Sequence, residues 1–159
     1  MRFTFAPDRV GARWYAGKIN ESDWPTIAQA ALEAGFDGPS LRRLAGLEEV
    51  NHWEASKLIQ PALGELGAKK LSPNEAFDWC ARDICDEIVN GTRDPIKGAD
   101  EFWRDMLRLN YYPENLRGIF DEVEMEETGA LSGGLEEGRK RVFDYAAAYL
   151  ALDSRRPKE

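Results

Sequence analysis

Five carboxylates, Asp121, Glu122, Glu124, Glu126 and Glu127, crowd the seven positions of "DEVEMEE". Side chains of that type at that density could hold a metal, act as an acid–base pair, or offer a basic protein the charge it would seek in phosphate. A transition-metal cage also wants imidazole or thiolate, and the chain has one histidine, His52, and two cysteines, Cys80 and Cys85. Glu49 stands three residues before His52. Glu-x-x-His is how di-iron bundles hold their metals, but that architecture needs two such motifs and further facing glutamates. Zinc through the cysteines fares no better, because structural sites use four nitrogen or sulfur ligands. Five residues of helix turn about 500°, which points the two thiols roughly 140° apart and predicts a reduced, unbonded pair. No metal and no cofactor are expected.

Covalent catalysis needs a nucleophile, a base that activates it and a group that orients the base. One histidine allows a single such site, and neither a G-x-S-x-G elbow nor a glycine-rich phosphate loop is present. Glycosidase-like chemistry asks only for two carboxylates, which any acidic chain has. A carboxylate-dependent enzyme is therefore the third-ranked reading.

The elements that must position these residues read as helices. "SDWPTIAQAALEAG" offers Ser22 or Asp23 as cap, Pro25 in the first turn and Gly35 as terminator. "SLRRLAGL" opens a short second helix at Ser40. A third begins near Glu48, and Pro61 inside it predicts a break near Gln60. "SPNE" is a capping box, with Ser72 and Glu75 placed to satisfy each other's amides, and Phe77, Ala81, Ile84 and Ile88 then form an apolar stripe that stops at Asn90-Gly91. Asp94 and Pro95 open the next helix, with Ile96, Ala99, Trp103 and Met106 on one face. Leu116, Ile119, Phe120 and Val123 predict a helix whose five carboxylates spread around its outer side. The last helix starts near Leu135, buries Val142, Ala146, Tyr149 and Leu150, and frays over residues 153–159. A shared core of Phe77, Ile84, Ile88, Trp103, Phe120 and Val142 follows. Only residues 1–20 hint at strand, where "RFTF" and "ARWYA" could pair as a small β-hairpin or remain an arm. The expected fold is all-α: one domain, 1–159, a bundle of six or seven short helices.

Residues 24–47 also have the layout of a helix-turn-helix, with Gly35 in the turn. The second helix, however, offers only Arg42 and Arg43 as cations and is followed by Glu48 and Glu49, a poor approach to DNA. "ALEAGFDGPSLRRLAGL", with "WCARDICDEIVNGTRDPIKGADEFW" further on, resembles small, acidic, uncharacterised bacterial proteins across residues 24–107. That resemblance implies a bacterial origin and a helical fold, and no activity or residue role.

Hydrophobic residues at 43% and charged residues at 31% are an ordinary globular composition. A formal charge of −8 repels a phosphate backbone, so nucleic acid is disfavoured as a partner. No apolar run is long enough to span a membrane, and the opening residues lack a signal peptide's apolar stretch, which leads to a cytoplasmic expectation and no membrane partner. Six acids against one arginine lie between Glu114 and Glu127, at the end of a helix where the dipole disfavours negative charge. Six bases against three acids lie from Gly138 to Glu159 and could neutralise part of the run. The reading that follows is a protein-binding module, immunity- or inhibitor-like, that presents Asp121, Glu122, Glu124, Glu126 and Glu127 to a basic protein. A DNA-binding regulator using residues 24–47 is the alternative.

Overall fold

The computed structural model describes residues 5–116, 118–119 and 134–153, without the side chains of 115, 152 and 153. Among them helix is the only regular secondary structure. Seven α-helices, α1 (Pro7–Tyr15), α2 (Trp24–Glu33), α3 (Pro39–Ala45), α4 (His52–Glu65), α5 (Pro73–Val89), α6 (Pro95–Leu109) and α7 (Gly134–Asp153), are joined by turns that include two of 3₁₀ type, Glu21–Asp23 and Glu114–Leu116. The all-α expectation holds. The chain divides into two compact units, Met1–Ala76 and Phe77–Glu159, with the boundary in the first turn of α5. Among the described residues, buried side chains form two clusters, one in each unit.

In the first unit the expected N-terminal hairpin gives way to α1. Pro7 starts that helix, and Val10 and Trp14, four residues apart, lie half-buried against the cluster of Trp24, Leu41, Leu44, Ile59 and Leu63. A two-stranded ribbon would leave one face unpacked, whereas a helix puts a whole arc of this segment to use. Trp14 meets Trp24 edge-on with ring centroids 5.7 Å apart. The α2 helix ends as its sequence suggests. Gly35 takes φ +97°, and the amides of Gly35 and Phe36 return to the carbonyls of Leu32 and Ala31.

The start of α3 is satisfied from a distance. The Glu65 carboxylate, at the end of α4, accepts from the amides of Ser40 and Leu41 at 2.8 and 2.9 Å. Gly38 leaves the room for it, since a Cβ there would overlap the Glu65 side chain. Helix α4 begins at His52, later than expected, because Asn51 caps it by accepting from the Trp53 amide at 2.9 Å. The break predicted near Gln60 is absent, and α4 runs unbroken through Pro61. Pro61 and Lys57 are both exposed, so the carbonyl that proline leaves without a partner faces water rather than the core.

The second unit follows the sequence more closely. Ser72 and Glu75 form the predicted capping box at 3.0 and 3.2 Å, and Asp94 accepts from the Lys97 amide at 3.3 Å to start α6. Phe77, Ile84, Ile88 and Val142 are buried in one cluster with Met106, Leu116 and Ile119. Phe120 lies outside the described residues. Trp103 is only half-buried against this cluster, and the fully buried aromatic of α6 is its neighbour Phe102. One residue is about 100° of helix, so the buried arc centres on Phe102 and Met106 and leaves Trp103 at its edge. Helices α5 and α6 approach closely at Gly98, where a Cβ would stand 2.6 Å from Ile88 Cδ1 and 3.2 Å from Ile84 Cγ2.

Candidate functional site

The five carboxylates singled out by the sequence, Asp121, Glu122, Glu124, Glu126 and Glu127, lie outside the described residues, as does Val123 of the stripe meant to orient them. Their surroundings in the chain are clear. Leu116 and Ile119 are buried before the run, and α7 begins after it at Gly134, which has φ +81°. Of the basic residues that follow the run, Arg139 donates from Nε to Asp94 Oδ1 at 2.7 Å, and Arg141 lies 3.7 Å from Glu137.

Charge is distributed unevenly between the two units. Residues 1–76 hold nine Lys and Arg against ten Asp and Glu, a net of −1; residues 77–159 hold twelve against nineteen, a net of −7, and together these make the −8 of the whole chain. Among the described residues, several arginines of the second unit pair with its own carboxylates. Arg93, between α5 and α6, bridges Glu87 at 2.5 Å and Glu101, while Arg104 meets Asp100 at 3.0 Å and Arg108 meets Asp105 at 2.8 Å. The unit as a whole has seven more acids than bases.

Two of these groups show the local field. Burial pushes the Asp94 carboxyl up, but the Arg139 hydrogen bond, the Lys97 amide and the two positive charges outweigh it and hold the group below its ordinary value. Burial pulls the Arg93 guanidinium down, and its bond to Glu87 and the charges of Glu101 and Glu87 more than restore it.

Asp78 and Asp105 were not anticipated as site residues. The Tyr111 hydroxyl reaches both Asp78 carboxylate oxygens at 3.3 and 3.4 Å, and the Tyr149 hydroxyl donates to the Asp78 carbonyl at 3.3 Å. Those bonds tie α5 to the end of α6 and to α7. Asp105 is a carboxylate only 3% exposed in a mostly apolar cluster. A signal for Asp105 was available, because it falls on the buried arc of α6, three residues after Phe102.

No family model matches the chain, and neither does any curated protein or solved structure.

The other candidates are placed as follows. His52 is the first residue of α4, with Glu49 outside the helix, so the two do not share the helical face that Glu-x-x-His requires. Its Nδ1 lies instead 2.8 Å from Glu21 Oε2. Cys80 and Cys85 are both buried and form no disulfide with each other, and burial, then the charge of Asp86, push the Cys85 thiol up to about 12. Among the described residues no three His, Cys, Asp or Glu side chains converge as metal ligands would, and no helix is long and apolar enough to cross a membrane. In the helix-turn-helix-like segment, Arg42 forms a bidentate pair with Asp37 at 2.7 and 2.6 Å, and Arg43 meets Glu54 at 3.1 Å.

Proposed function

We propose that this chain is a bacterial, cytoplasmic protein-binding module that uses the acidic surface of residues 77–159, including Asp121, Glu122, Glu124, Glu126 and Glu127, to engage a basic protein. The observation that carries this reading is the segregation of charge, −7 against −1, in a unit where Arg93 and Arg139, among the described residues, pair with its own carboxylates. Such a surface steers a cationic partner into encounter and makes the association rate fall with salt. An inhibitor of a nucleic-acid-binding protein works in this way, by presenting carboxylates where the partner expects phosphate. The regulator reading has less to support it, because Arg42 and Arg43 face carboxylates of their own unit and the first amides of α3 are taken by Glu65.

The test compares two variants that remove equal charge. Glu124→Gln/Glu126→Gln/Glu127→Gln and Glu33→Gln/Glu48→Gln/Glu49→Gln are each titrated with cytochrome c, a basic probe protein, at several salt concentrations. The first variant should bind more weakly with a flatter salt dependence, and the second should behave like the parent. Equal loss in both, or no salt-dependent association at all, overturns the proposal.

A further inference from the structure

We draw no further inference here: the strongest candidate, the apolar stripe of Leu135, Phe143 and Ala147 along α7, is a partly exposed helix face, and nothing in the structure shows what covers it.

Discussion

Placing a methyl group at Gly98 tests a close approach of α6 to α5 in the second unit. Glycine inside a helix costs about 1 kcal/mol relative to alanine, so Gly98→Ala on an open helix face would stabilise by about that much. Here the new Cβ would lie 2.6 Å from Ile88 Cδ1, and Ile88 is only 2% exposed, so its methyl must move within a filled core. Overpacking of this kind costs about 1–3 kcal/mol. The net effect runs from near zero to about 2 kcal/mol of destabilisation. Ile88→Val removes the offending methyl and, alone, should cost about 0.5–1.5 kcal/mol. Together the two changes should not add: the double variant should be no less stable than Ile88→Val, a coupling of about 1 kcal/mol or more. Urea unfolding of the four proteins, followed by circular dichroism, measures it, with hydrogen exchange of α5 and α6 amides confirming that the loss is local to this unit. Additivity within about 0.5 kcal/mol, or a full 1 kcal/mol gain for Gly98→Ala alone, would refute the close approach of α6 to α5.

Glu65→Ala should destabilise by about 0.5–2 kcal/mol, as loss of a helix cap does, and thermal melting should show that adding Gly38→Ala costs little more, since that change already displaces the carboxylate. The Cys85 thiol, buried and pushed up to about 12, should resist a disulfide reagent at pH 8 until denaturant is added; rapid stoichiometric labelling of the folded protein would contradict its environment. Asp94 is held below its ordinary carboxyl value, so its contribution to stability is present above about pH 4 and is lost as pH falls further. Urea unfolding across pH should therefore show Arg139→Gln and the parent converging in acid and separating above that point, and parallel curves would remove the Arg139–Asp94 pair from the account.

What the sequence made legible was local. The Ser72–Glu75 box and the Asp94 cap are completed within three residues, so their residue types alone announce them. The same is true of the stripe Phe77, Ala81, Ile84 and Ile88. Misreadings arose where a partner elsewhere decides. Val10 and Trp14 mark a helical arc only once a cluster exists for them to cover, and without it "ARWYA" looks like alternation. Pro61 breaks a helix when the carbonyl it frees is buried, and here that carbonyl lies on an exposed side. On α6 a single residue of register separated Trp103 from Phe102. The candidate site was legible as composition, an acidic run and a single histidine, while the pairing of Arg139 with Asp94 spans 45 residues and left no local trace.

The carboxylate that closes α3 also sets when α3 can exist. A helix of seven residues is too short to hold itself in water, and its opening amides are satisfied from 24 and 25 residues further along the chain. It therefore cannot form ahead of the last turn of α4. Helices α2 and α4 carry their own stop and start signals, so they can appear early, but α3 is conditional on their meeting. In folding it belongs to the late, long-range steps, and in the native ensemble its amides should open together with those around Glu65.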